Sequence, residues 1–217
     1  MTVYAARMPA LLAGGGRLAM GLFFAATTAL VVVETLPYYT FADDLPFFLE
    51  KWDVYRTVLW RAAFYVHVSG GLLCLLSALP QFSMTLLRRA PRVHRALGWT
   101  YVVSTLVLTA PAGLYMAIFA KGGMPGRVGF IVLGVALLYT TWRGLERVLA
   151  RDFRGHVAWM IRSYAMASSA LTFRVFYVLL TVVRVDAAYV IAIWLSFVAN
   201  LLVAEWIVLR RTRGVTR

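Results

Sequence analysis

The chain has 217 residues, of which 62% are hydrophobic and only 14% are charged, and its mean hydropathy is +0.77. A soluble domain of this length carries about a quarter charged residues, so the composition excludes that class and indicates an integral membrane protein. The formal net charge of +13 does not indicate nucleic-acid binding, because the basic residues stand between hydrophobic segments and form no continuous stripe.

Six apolar segments are each about as long as the roughly 20 helical residues that cross a bilayer. They lie at about residues 18–37, 61–82, 98–120, 128–149, 157–183 and 187–209. The prediction is an all-α integral membrane protein, a single domain over residues 1–217 with a bundle of six transmembrane helices. Pro111 lies near the middle of the third segment and predicts a kink there.

The longest polar interruption, residues 40–60, mixes acidic, basic and aromatic side chains. Such a mixture is typical of a segment that lies along the membrane surface. Asp44 followed by Pro46 predicts the start of a short helix there, with Asp44 as the N-cap.

The basic residues predict the orientation. Fourteen of the 22 Lys and Arg residues fall at one end of the segments and six at the other. The excess, which includes Arg7, Arg17 and Arg217, recurs in every connection on the richer side, so both termini are predicted to be cytoplasmic. The chain is expected in the cell (inner) membrane as a multi-pass protein, with anionic lipid headgroups as partners of its basic face.

The fifth segment carries His156, Arg162 and Arg174 inside an apolar run. Charged side chains near the bilayer centre cost at least about 2.5–3.5 kcal/mol each, so they are expected to face the bundle interior. At about 100° per residue, an unbroken helix returns His156 and Arg174 to one face, with Ser163 and Ala170 near the same line. Arg162 points elsewhere.

Two polar clusters are predicted. In the outer third of the membrane, Glu34, His67 and Arg174 fall at similar depths and could meet as a buried group. One interpretation is an ion pair that locks helices together, and the other is a pocket for a lipid, a quinone or another lipophilic small molecule. A third hypothesis is an enzyme acting on a lipophilic substrate, with His67 as proton donor and Arg174 holding an anion.

At the inner end, His94 and His156 open the third and fifth segments at one level. Two imidazoles facing across a bundle could ligate a b-type haem, and nearby arginines could hold its propionates. Alternatively, both histidines are helix-end residues that bond carbonyls or lipid phosphates. The surrounding polar residues of this inner cluster are Arg92, Arg95, Arg143, Glu146, Arg162, Asn200 and Glu205.

Several motifs resemble one family. They are His67 with Gly70-Gly71, then PQF at 80–82, RVHRALG at 92–98, GLYMA at 113–117, HVAWMIRSYA at 156–165, TFR at 172–174 and NLLVAEW at 200–206. Over roughly residues 60–210 the chain resembles the predicted bacterial membrane proteins of domain of unknown function 2306. The resemblance implies a membrane protein, transfers no activity, and makes His67, His94, His156, Arg162, Arg174, Asn200 and Glu205 motif residues.

A fainter likeness is to cytochrome b561-type proteins, which also have a histidine in one span and an HRxLG-like start to the next. Because the chain has three histidines, at most one bis-histidine haem could be bound. The function predicted is therefore the binding of a lipophilic small molecule or lipid in a His, Arg and Glu-lined site between helices. The alternative is a membrane electron-transfer protein that binds haem b or quinone through His94 and His156.

Overall fold

The computed structural model describes residues 21–213, and these form helices joined by short connections. Six helices are long and apolar enough to cross a membrane: α1 (Gly21–Thr40), α2 (Val58–Phe82), α3 (Pro91–Ala117), α4 (Gly123–Leu149), α5 (Phe153–Val182) and α6 (Ala188–Arg210, helical to Arg213). The prediction of an all-α, six-helix multi-pass membrane protein is confirmed. The predicted start of the first span at residue 18, and Arg7, Arg17 and Arg217, lie outside the described residues.

Several helices begin before the apolar windows that predicted them. α3 begins at Pro91 and α5 at Phe153, because their first turns carry polar side chains that an apolar window omits. Asp152 caps α5 by accepting a hydrogen bond from the Gly155 amide at 2.9 Å. Helices here are thus longer than the hydrocarbon layer, and their polar ends reach the headgroup level.

Two membrane helices are irregular. In α3, a π-helical turn at Ser104–Thr109 lies between α-helical segments, two residues before Pro111. Proline lacks an amide hydrogen and its ring crowds the preceding turn, so the wider turn accommodates it where a kink was predicted. In α5, the α-helix is interrupted at Ser168, which separates Phe153–Ala167 from Ser169–Val182. The prediction of one unbroken helix from His156 to Arg174 is therefore wrong.

The packing follows the chain. α4 packs most extensively on the first half of α5, α6 packs on both halves of α5 and on α4, and α2 packs on α3. The largest core cluster contains side chains from all five helices from α2 to α6, including Cys74, Tyr101, Leu137, Met166 and Ile193. α1 lies at the edge of the bundle and contacts α2 and α5 through Val31, Leu75 and Leu171.

We call the two ends of the bundle the capped end and the basic end. The capped end comprises residues 41–57, 118–122 and 183–187, and the basic end comprises residues 83–90 and 150–152 together with the last turns of α6. A short helix at the basic end spans Met84–Arg89.

The segment at the capped end contains two short helices, Pro46–Glu50 and Trp52–Tyr55. Its aromatic side chains pack on the start of α2, in a cluster of Phe48, Tyr55, Trp60 and Phe64. Lys51 donates a hydrogen bond to the Phe119 carbonyl at 2.5 Å, and Glu50 pairs with Lys121, so the segment also contacts the α3–α4 connection. The first short helix has Leu45 as N-cap without a side-chain bond, so the predicted Asp44 cap is wrong.

Candidate functional site

His156 lies in the first turns of α5 and is oriented by the backbone of α4. Its Nδ1 is 2.8 Å from the Gly144 carbonyl oxygen. A carbonyl oxygen only accepts, so Nδ1 carries the hydrogen, and in the neutral imidazole Nε2 then has a lone pair. In the described part of the chain, this Nε2 has no hydrogen-bond partner.

Gly144 permits this contact by lacking a side chain. A Cβ at this position would lie 2.5 Å from Met160 Sδ and 3.7 Å from the Met160 backbone nitrogen. α4 and α5 therefore pack closely at Gly144, and its carbonyl is within reach of the imidazole. The orientation of His156 is consequently a result of helix packing.

His94 lies near His156, on the first turns of α3. The two imidazoles are close enough for the charge of one to act on the other. Gln81, at the end of α2, donates to the His94 carbonyl at 2.9 Å and positions this turn. The Nδ1 of His94 is buried without a hydrogen-bond partner among the described residues. A buried polar atom without a partner is uncommon in folded proteins and is a reason to look for a ligand.

Two ion pairs lie beside Trp159, which is three residues after His156 in α5. Arg162 bonds Glu205 of α6 with both ends of its guanidinium, at 2.5 and 2.8 Å. Arg143 pairs with Glu146 at 2.6 Å, and its Nε is buried without a partner in the described region. Both guanidinium groups face the ring of Trp159, at 5.6 Å for Arg143 and 4.8 Å for Arg162. The basic end therefore contains two arginines that are each paired with a glutamate, and two imidazoles that can be neutral.

Two members of the predicted inner cluster lie elsewhere. Asn200 is deeper, where its Nδ2 lies 3.0 Å from the Ala165 carbonyl and 3.2 Å from Ser168 Oγ. It thus bonds the backbone and side chains at the interruption of α5. Arg95, although adjacent to His94 in sequence, is exposed.

A buried hydroxyl chain joins three helices beneath the histidines. Ser163 Oγ lies 2.7 Å from Tyr101 Oη and 2.6 Å from Thr141 Oγ1, and Thr141 donates to the Leu137 carbonyl at 2.7 Å. Since Thr141 uses its hydrogen on the carbonyl, the chain runs from Tyr101 to Ser163 to Thr141. Every hydroxyl has an acceptor, so this network is a structural link between α3, α4 and α5.

The predicted outer group is only partly joined. Arg174 Nε donates to Glu34 at 2.8 Å, and Arg174 Nη1 donates to the Ala170 carbonyl at 2.6 Å. The side chains of Glu34 and Arg174 are 47% and 38% exposed, because α1 lies at the edge of the bundle. His67 bonds neither of them: its Nδ1 is 2.8 Å from the Thr109 carbonyl of the π turn, although Arg174 is close enough to act on it electrostatically.

Sequence reasoning missed the role of Gln81, Tyr101 and Thr141. Gln81 was visible within the PQF motif, but nothing in its spacing indicated the His94 carbonyl as partner. Tyr101 and Thr141 resemble ordinary packing residues in an apolar segment. Within residues 21–213, no group of three His, Cys, Asp or Glu side chains is close enough to hold a metal ion.

Six membrane helices with a half-buried histidine pair at one end define a multi-pass membrane protein. The chain belongs to the predicted membrane protein family DUF2306, whose model matches residues 64–208. This range includes all three histidines and all three arginines of α5, and it excludes Glu34. Comparisons with curated proteins and with solved structures give no significant match.

Proposed function

We propose that this protein binds a lipophilic small molecule or lipid whose polar head is held by His94 and His156 at the basic end. The observation that carries the proposal is the unused hydrogen-bonding capacity of the two rings. His94 Nδ1 is buried without a described partner, and the Gly144 bond leaves the His156 Nε2 with a free lone pair. A quinol, whose hydroxyl groups both donate and accept, would satisfy both rings, whereas a quinone carbonyl only accepts and would leave the His156 lone pair without a donor.

The arginines fit this role as a supporting layer. Arg143 and Arg162 are each paired with a glutamate, so their charges are largely compensated and the site suits a neutral head. The Trp159 ring lies against both guanidinium groups and holds them in place beside this part of α5. A ligand dissolved in the bilayer could reach the site from the side, since both histidines lie at membrane helix ends.

A second candidate, a b-type haem protein, is favoured by one specific contact. Histidines that ligate metals commonly donate their other ring hydrogen to a backbone carbonyl, as His156 does to Gly144. Nε2 of His156 and a nitrogen of His94 would then be the iron ligands. Bound haem would supply one-electron transfer, and the protein would orient the rings and exclude water.

One experiment tests both candidates. Protein purified in mild detergent is extracted for mass spectrometry and scanned by absorption before and after dithionite. The informative variant is His156→Asn, because the asparagine amide can still donate to the Gly144 carbonyl while Nε2 is removed. His67→Asn is the matched control, since His67 has the same Nδ1–carbonyl arrangement at another site.

We expect one lipophilic compound to co-purify at close to one per chain, and to fall about tenfold in His156→Asn and His94→Ala but not in His67→Asn. A dithionite-shifted Soret band lost in the same two variants would identify haem as the ligand. Equal recovery of every compound from wild type and from both inner variants would overturn the proposal.

A further inference from the structure

A groove at the capped end carries two opposite charges that do not pair. It has a volume of about 240 Å³ and lies between residues 41–57, which we call the capping segment, and the first turns of α2. Asp43 and Arg61 both line it, with Phe41, Tyr55 and Tyr65 as walls. The five ion pairs found among the described residues all involve other side chains. The carboxylate and the guanidinium that line this small groove therefore form no ion pair with each other or with another described side chain.

The carboxylate is held in place by Tyr55. The Tyr55 hydroxyl donates to Asp43, and the ring is stacked on Phe48 at 4.2 Å between centroids. Tyr55 is 3% exposed, and this burial, with the Asp43 bond, raises its pKa to about 12. The hydroxyl thus keeps its hydrogen at neutral pH and fixes the orientation of Asp43 without neutralising it.

The guanidinium of Arg61 lies over the same ring. Its central carbon is 5.7 Å from the Tyr55 ring centroid. Phe48 and Trp52 are also stacked on Tyr55, at 4.2 and 6.0 Å between centroids, so this ring is already packed against three side chains and is a poor site for a quaternary ammonium ion. A primary ammonium group, which can donate hydrogen bonds to a carboxylate, suits Asp43 better.

The groove has an exposed apolar rim on the side that would face membrane lipid. Val58, in the first turn of α2, is 73% exposed, and Phe41 is 66% exposed. Both line the groove at the level where a membrane helix begins, which is the headgroup level of the bilayer. Acyl chains could extend along this apolar rim while the polar head remains in the groove.

We propose that the groove binds the headgroup of a zwitterionic aminophospholipid, with its primary ammonium on Asp43 and its phosphate on Arg61. This site is separate from the histidine pair, which lies at the other end of the bundle, so either proposal can fail alone. The lipid would anchor the capping segment to the start of α2.

The test measures lipid retention by native mass spectrometry on the full chain, offered equal amounts of phosphatidylethanolamine, phosphatidylcholine and phosphatidylglycerol. Asp43→Asn removes the charge but keeps an acceptor for Tyr55, and Arg61→Gln removes the guanidinium while Arg61→Lys keeps a positive charge. Asp44→Asn and Arg56→Gln are matched controls, because both side chains are exposed in the same segment and neither lines the groove.

We expect wild type to retain phosphatidylethanolamine about tenfold over the other two lipids, and Asp43→Asn to lose this preference. Arg61→Gln should weaken retention of phosphatidylethanolamine about tenfold, Arg61→Lys should restore part of it, and both controls should match wild type. Equal retention of the three lipids by wild type, or unchanged preference in Asp43→Asn and Arg61→Gln, would overturn the proposal. Displacement of the lipid by soluble glycerophosphoethanolamine at equal concentration would overturn the lipid as occupant.

Discussion

At the residue scale, small side chains decide how closely the helices approach. Gly70 of α2 faces the π turn of α3, and a Cβ there would lie 2.7 Å from both Leu108 Cβ and Thr109 Oγ1. The neighbouring Gly71 has only one atom nearby, Thr109 Cγ2 at 3.9 Å. Without water to drive association, membrane helices depend on such close packing. The α2–α3 contact therefore requires glycine at position 70 but leaves room for a larger residue at position 71.

We expect Gly70→Ala to lower the free energy of unfolding by about 1–3 kcal/mol, because the added methyl group overpacks the α2–α3 contact. Displacement of Thr109 would also disturb the carbonyl that His67 bonds. Gly71→Ala, the control, should leave stability within about 0.5 kcal/mol. Unfolding of detergent-solubilised protein by heat or by sodium dodecyl sulfate gives the comparison, and equal effects of the two variants would contradict this account.

At the element scale, the start of α5 and its interruption at Ser168 determine where His156 and Arg174 lie. Asp152 accepts from the Gly155 amide and lies 3.0 Å from Arg147, which fixes where α5 begins relative to α4. The interruption at Ser168 separates the segment that carries His156 from the one that carries Arg174. Asn200 of α6 bonds the carbonyl and hydroxyl groups at this point, so the polar backbone is satisfied inside the bundle. The two halves of α5 therefore serve different ends of the molecule.

Asp152 predicts a pH dependence. The Gly155 amide and, after it, Arg147 lower the pKa of Asp152 below its ordinary value of 3.8. Its stabilisation is therefore complete above that value and is lost as the pH falls through the lowered pKa in the folded protein. Asp152→Asn keeps a capping oxygen and removes the titration and the Arg147 pair.

As the pH falls through 3.8 towards the lowered pKa of Asp152 in the folded protein, wild type should progressively lose its stability advantage over Asp152→Asn. Unfolding midpoints measured at several pH values, with Asp152→Ala as the variant that also removes the cap, test this. An advantage that stays constant as the pH falls well below 3.8 would show that Asp152 contributes through the cap alone.

At the scale of the whole molecule, the two ends differ in structure and charge. The capped end has an aromatic cluster and a groove lined by one acidic and one basic side chain, Asp43 and Arg61. The basic end has the two histidines together with paired arginines. The two proposed sites therefore lie near opposite leaflets. Which leaflet is cytoplasmic is predicted from the basic residues, with the basic end inside.

Cysteine labelling tests this orientation. Cys74 is 2% exposed, so the wild-type chain should not react with a membrane-impermeant maleimide. In intact cells, Asp44→Cys should be labelled and Arg154→Cys should be labelled only after permeabilisation, since both positions are exposed at opposite ends. Labelling of Arg154→Cys without permeabilisation would place the basic end outside.

The membrane class and the six helices follow from the sequence, because hydrophobic length is a local property of the chain. The sequence also indicates His94, His156, Arg162 and Glu205 by their type in an apolar setting. Which of these residues meet depends on how the helices pack. The lateral positions of helices depend on contacts such as Gly144 on Met160, which no spacing within one segment encodes.

The same limit explains the incomplete outer group. Depth along the membrane was predictable from 1.5 Å per residue, and Glu34 and Arg174 do meet. His67 instead bonds a carbonyl in the π turn, and α5 is interrupted where an unbroken helix was predicted. Both features depend on backbone groups being satisfied by neighbouring helices, as Asn200 does at Ser168, and this arrangement exists only in the assembled bundle.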